Sequence, residues 1–215
     1  MKKPIINRYY KRYLGNENTD AFRKSVLRHY TPGTLERLLS HGSRIPRRAA
    51  ALALGIVGDY EANTCLGQAL CDKDRVVRVL AENSIRQVWC RMGNASHRSR
   101  LASIIRLNTS QKFTGAIEKA TALLDEAPWF AEVWNQRAIA HFSVNHFHDS
   151  IRDCHQALEL NPYHFGSAAG MGQSYLELND AHAALECFRR ALKLNPNMDG
   201  VRAQVAYLQK TLEGM

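Results

Sequence analysis

Three prolines, Pro128, Pro162 and Pro196, stand 34 residues apart. Other positions keep the same step. Ala116, Ser150 and Ala184 are all small, Ala138 returns as Gly172, Ala157 returns as Ala191, and ALELNP (157–162) returns as ALKLNP (191–196). A fixed period of this length constrains the fold more than any other feature of the chain. Each copy is one supersecondary unit that cannot bury its apolar face alone, so successive copies must stack.

Within one period the apolar residues recur at helical spacing. AEVWNQRAIAHFSV places Val133, Trp134, Ala138, His141 and Phe142 near one stripe. Asn145-His146 breaks the pattern, and FHDSIRDCHQALEL carries Phe147, Ile151, Cys154, Ala157 and Leu158 in the same way. Asn161 ends the second helix, because a residue before proline is pushed out of the helical region. The unit is therefore a helix pair. Small residues at Ala138, Ser150, Gly172 and Ala184 let the paired helices approach closely.

These residues resemble the tetratricopeptide repeat. Trp134, Ala138, Ser150, Ala157 and Pro162 fall where that family has W, G/A, A, A and P, and Gly172, Tyr175, Ala184, Phe188, Ala191 and Pro196 fit the next unit. The resemblance gives repeats at 131–164 and 165–198. An earlier unit near 97–130 keeps AIEKATALLDEAP but has a poor first helix, with Arg100 in the tryptophan place. DGVRAQVAYLQKTLEGM reads as a capping helix. Trp134 and Tyr175 are expected at packing positions.

The first half has a period near 31. RRAAALALGIVGD (47–59) aligns with RVLAENSIRQVWC (78–90), pairing Arg47 with Arg78, Ala50 with Ala81 and Val57 with Val88. This resembles the short HEAT repeat, whose helix pairs also stack. The resemblance implies a ladder built from an Asp six residues before an Arg, which Asp72 and Arg78 fit; His41 stands in that place before Arg47. The expected organisation is a basic helical cap (1–33), HEAT-like repeats (34–94), and tetratricopeptide repeats with a capping helix (95–215). RMGNAS (91–96) is the linker candidate. The fold class is all-α, a right-handed α-solenoid.

Function enters through what lines such a stack. The resemblance implies that first helices face a concave groove. Carried over by register, that face is Glu132, Asn135, Ile139, Phe142 and Ser143, then Ala169, Gln173, Leu176 and Glu177, then Ala203, Tyr207 and Lys210. Ile139, Phe142, Leu176 and Tyr207 would be apolar on a wet face, as interaction sites often are. The Lys/Arg/Asn clamp by which some relatives hold a peptide carboxylate is absent: Asn135 is one place off, and Gly200 and Gln204 stand where cations belong. The expected role is a non-enzymatic scaffold or adaptor for a protein or peptide partner.

Charge offers an alternative. The net charge is +9, but residues 1–112 hold 21 Lys and Arg against 8 Asp and Glu, while residues 113–215 hold 8 against 12. Arg44, Arg48, Lys73, Arg75, Arg86, Arg91, Arg98 and Arg100 would then form a phosphate-binding stripe for nucleic acid. Base-stacking aromatics are sparse beyond Tyr9, Tyr10 and Tyr13.

Catalytic and metal chemistry is not expected. There is no G-x-S-x-G, P-loop or G-x-G-x-x-G, and GSAAGMG (166–172) reads as close packing inside a helix. IAHFSVNHFHDSIRDCHQ concentrates His141, His146, His148, Cys154 and His155. His148 and His155 lie seven residues apart on one helix, about 10.5 Å, too far for one ion. His146 and His148 are only two ligands, so no metal and no cofactor are expected. Five scattered cysteines without a C-x-x-C pair argue against a disulfide framework and for a reducing cytoplasm. No apolar run approaches the roughly 20 residues of a membrane span, and no secretory signal is read at the start.

Overall fold

The computed structural model describes residues 4–214, and every regular element among them is helical. The fold is all-α, built from stacked helix pairs. It divides into two compact units, the first running to Arg91 and the second beginning at Met92.

In the first unit α1 (Ile6–Asn16) and α2 (Thr19–His29) both pack on α4. Ile6, Tyr10, Phe22 and Val26 are their buried residues. Next come α3 (Pro32–His41), α4 (Arg44–Val57), a 3-10 turn (Tyr60–Ala62), α5 (Asn63–Ala69) and α6 (Arg75–Trp89). The 31-residue step is present in the backbone: α3 and α5 begin 31 residues apart, as do α4 and α6. The contact between α4 and α6 is built from small residues. Ala49, Ala50, Ala51, Ala53 and Gly55 are buried, and a Cβ on Gly55 would overlap the Ser84 hydroxyl, which donates to the Ala51 carbonyl at 2.8 Å.

The expected Asp72–Arg78 rung takes a different form. Arg78 donates to the backbone carbonyl of Asp72 at 2.9 Å. The Asp72 carboxylate instead receives a two-pronged bond from Arg47 of the preceding pair, at 2.8 and 3.0 Å. Arg47 also donates to the Gly42 carbonyl at 3.1 Å. This two-pronged, charge-assisted pair is of the strong kind and joins α4 to the loop before α6.

The second unit is α7 (Ala95–Thr109), α8 (Phe113–Leu124), α9 (Ala131–Ser143), α10 (Phe147–Leu160), α11 (Phe165–Glu177), α12 (Ala181–Leu194) and α13 (Asp199–Glu213). Each helix packs on the next, and the first helices α7, α9 and α11 also touch in sequence. The turn inside each pair is repeated. Gln111, Asn145 and Asn179 are left-handed, with φ of 57, 63 and 59°. The N–H groups of Lys112, His146 and Asp180 donate to the carbonyls of Leu107, His141 and Tyr175 at 2.8, 2.9 and 2.9 Å. This closure satisfies carbonyls that a helix end leaves open. Between pairs, buried Asn161 and Asn195 accept from the N–H groups of Tyr163 and Asn197, turning the chain around each proline.

The core of the stack is small against large. Phe130, Phe165 and Phe188 are fully buried, and Phe188 lies against Gly172. Trp134 and Tyr175 are half-buried rather than core residues. Trp134 is pinned by its indole N–H, which donates to the Pro128 carbonyl at 2.7 Å, and by the Arg137 guanidinium 4.8 Å above its ring. The first helix read as poor, α7, forms over fifteen residues. Asn94 and His97 close its N-terminus as a reciprocal cap.

Candidate interaction surface

Two residues expected in the groove, Glu132 and Asn135, are buried instead. The start of α11 packs over them. His164 Nε2 lies 2.9 Å from Glu132 Oε2, and Gln136 and Asn135 donate to the other Glu132 oxygen at 2.7 and 3.3 Å. Ser167 Oγ donates to Asn135 Oδ1 at 3.1 Å and lies 2.9 Å from His164 Nδ1. Burial pushes the Glu132 carboxyl upward, but the His164 bond and charge and the two amides more than offset it, so its pKa falls below the ordinary value.

Glu132, His164 and Ser167 have the connectivity of a nucleophile, base and orienter, but their surroundings give them another task. Ser167 is 0% exposed and His164 1%, so no substrate reaches the hydroxyl. The Nδ1 of His164 accepts the backbone N–H of Ser167 at 3.1 Å, capping α11. The network ties α9 to α11. Only stacking reveals it, because Glu132 and His164 are 32 residues apart.

The remaining groove positions lie nearer solvent. Ile139 is 43% exposed although α9 packs on α7, α8, α10 and α11. Phe142 is half-buried, edge-on to Phe147 at 5.5 Å. Ser143 is exposed and its hydroxyl donates to the Ile139 carbonyl. Ala169, Gln173 and Leu176 are half-buried and Glu177 is exposed. Gln173 donates to Gln204 on α13 at 2.8 Å. Ala203 and Lys210 are exposed, and Tyr207 is 70% exposed.

The residues of the basic stripe are largely engaged with the protein's own groups. Arg48 grips Asp74 with two bonds of 3.0 and 2.7 Å, Arg86 pairs with Glu82 at 3.3 Å and Arg100 with Glu126 at 2.6 Å. Arg91, at the end of the first unit, donates to the carbonyls of Gly58 and Gly55, and Arg98 donates to Gly93. Arg44, Lys73 and Arg75 remain as exposed cations. Arg98 and Arg100 also belong to the second unit, apart from the other six. Five of the eight thus have partners within the protein, which leaves fewer of them open to a phosphate than the count of charges implies.

The first unit has an apolar depression that the sequence did not suggest. It lies between α1 and α4, about 700 Å³ in volume, and is lined by Ile5, Tyr10, Leu14 and Ile45, with Arg8 and Lys11 beside them. Cys154, in the second unit, is buried, and its thiol is pushed up to about 12, so it is not a nucleophile at neutral pH.

Residues 169–198 match the profile of the tetratricopeptide repeat. A TPR repeat-containing protein of Rhizobium etli is 31% identical over 99 residues, covering 44% of this chain and 48% of that one. A protein SGT1 homolog of Bos taurus is 33% identical over 101 residues, covering 46% of this chain and 29% of that one. The chain thus spans less than half the length of these relatives. Among solved structures, the first TPR of Spaghetti (RPAP3), bound to the HSP90 peptide SRMEEVD, superposes with a TM-score of 0.52 at 21% identity, covering 54% of this chain and 93% of that one. That last likeness is one of fold. Residues 169–198 thus carry a tetratricopeptide repeat, and the neighbouring helix pairs of the second unit keep its 34-residue step and its turn.

Proposed function

We propose that the second unit is a non-enzymatic adaptor module that holds a protein or peptide segment along its first helices α9, α11 and α13. The carrying observation is Ile139, a large aliphatic side chain left 43% exposed in the middle of the stack. Tyr207 repeats the register position of Ile139 two steps on, and Phe142 and Leu176 form a second row one helical turn away. The peptide seen in the RPAP3 structure supports this use of the fold. The chemistry of recognition differs from a carboxylate clamp, since Asn135 is turned into the buried network and Gln173 and Gln204 bond each other. The fitting partner is an extended or helical segment with apolar anchors. The first unit is proposed as a HEAT-like support.

A peptide library displayed on phage and selected against the full chain tests the reading. Selected peptides should carry apolar anchors. They should bind Ile139→Ser/Tyr207→Ser at least about tenfold more weakly, as anchor residues do, with melting temperature unchanged. Peptides indifferent to that double change would place binding elsewhere.

A further inference from the structure

The turn between α9 and α10 does bring three metal-binding side chains together. His141 lies in the last turn of α9, His146 precedes α10, and Asp149 lies in the first turn of α10. One donor atom from each lies within 4.8 Å of the others. The sequence pairs His146 with His148 as two donors, whereas the folded turn sets His146 beside His141 and Asp149. The His146 N–H bond to the His141 carbonyl, 2.9 Å long, fixes the two backbones, and the rings face each other with centroids 5.8 Å apart. The other two turns of this type have the same backbone closure but carry Leu107, Lys112 and Gly115, or Tyr175, Asp180 and Ala183. The donor set belongs to one turn alone of the three.

We propose that this turn binds one divalent transition ion, zinc being the probe, through His141, His146 and Asp149. Two imidazoles and a carboxylate suit zinc and its first-row neighbours. Tetrahedral bonds of about 2.0–2.1 Å place donors about 3.3 Å apart, so the three must draw in by about 1.5 Å at most. His146 and Asp149, with side chains 59% and 37% exposed, have room to turn. His141, 14% exposed, is the fixed member. Its Nε2 faces Asp153 Oδ2 at 3.9 Å, while its buried Nδ1 has no hydrogen-bond partner. A carboxylate beside the outer nitrogen of a ligating histidine is the usual orienting arrangement, and it leaves Nδ1 to the ion. Arg137 holds Asp153 with bonds of 2.7 and 2.8 Å, which keeps that carboxylate in the outer position. Arg152 occupies Asp149 from solvent and must swing away. Three protein donors leave a fourth position for water.

The test is calorimetric titration of the full chain, reduced and stripped with chelator, against zinc chloride. The expected result is one saturable site, weakened at least about tenfold, the scale on which even outer partners matter, by His146→Ala and by Asp149→Ala. His148→Ala and His155→Ala should bind as the parent does. Melting without zinc checks that each variant folds, and His146→Gln serves where His146→Ala does not. Zinc should raise the melting temperature of the parent but not of the two ligand variants. The proposal is overturned by no saturable binding, by binding that survives His146→Ala, or by a cobalt spectrum with a thiolate charge-transfer band, which would move the ion to cysteine.

Discussion

Replacing Gly172 by alanine should destabilise the protein, although alanine is the better helix former. A Cβ built on Gly172 falls 2.5, 2.6 and 2.9 Å from three carbons of the Phe188 ring. Phe188 is 0% exposed in the core of the second unit, so its ring has little space to yield. Overpacking of this kind costs about 1–3 kcal/mol, and the gain in helix propensity returns about 1 kcal/mol. The net loss expected is about 0–2 kcal/mol, and three ring carbons within 3 Å put it at the upper end of that range. Gly170, two residues earlier in α11, provides the control. Its Cβ would meet only the Cys154 sulfur, at 3.3 Å, so Gly170→Ala should be neutral or stabilising by up to about 1 kcal/mol. Urea unfolding of both variants gives the two values. Shortening the opposing ring as well, in Gly172→Ala/Phe188→Leu, should recover part of the loss through a coupling of about 0.5–3 kcal/mol. A Gly172→Ala protein as stable as its parent, or one whose loss is indifferent to Phe188, would refute the close-packing argument.

Two further predictions concern the first unit. Asp72→Ala leaves Arg47, only 8% exposed, without its carboxylate, and should cost about 3 kcal/mol in urea unfolding; a loss below a few tenths would deny the rung a structural role. Asp74 is held down to about 2, first by the Arg48 bonds, against burial and with help from the N–H groups of Val77 and Val76. Its folded value is depressed, so its stabilisation is complete above about pH 4, the ordinary carboxylate range, and fades as pH falls toward about 2. Asp74→Asn keeps an acceptor for the helix cap and removes the charge, so the stability gap between parent and variant should close across that window. A gap that is constant with pH would contradict the assignment.

Periodic features were legible in the sequence, and contacts between repeats were not. The helix pairs, the proline stops and the close approach of Gly172 followed from spacing, because each is a property of one unit copied at 34 residues. The Glu132–His164–Ser167–Asn135 network was invisible, since its members meet only when α11 lands on α9. Charge was only partly legible, for a related reason. A count of arginines says nothing of Asp74, Glu82, Glu126 or the open carbonyls of Gly55 and Gly58, which those arginines serve. In α7 the search for a tryptophan hid a local signal, Asn94 with His97 three residues on, that starts the helix without any repeat consensus.

The groove positions separate further when read down the stack. Ile139, Gln173 and Tyr207 form one row at 34-residue steps, and Asn135, Ala169 and Ala203 form another. Along the second row burial declines from buried to half-buried to exposed. The cause is coverage: α9 is packed by helices before and after it, while α13 packs on α12. Tyr207, at 70% exposure, is therefore partly a consequence of its place in the stack. Ile139 is not. It sits on the best-covered first helix, next to a wholly buried Ala140, and still keeps 43% of its surface in water. Burying an aliphatic side chain is worth about 1.5–3 kcal/mol, and the surrounding helices leave much of that unclaimed. A partner segment that covers Ile139 collects it, which is why the variant at this residue, more than the one at Tyr207, decides whether the row is a binding surface.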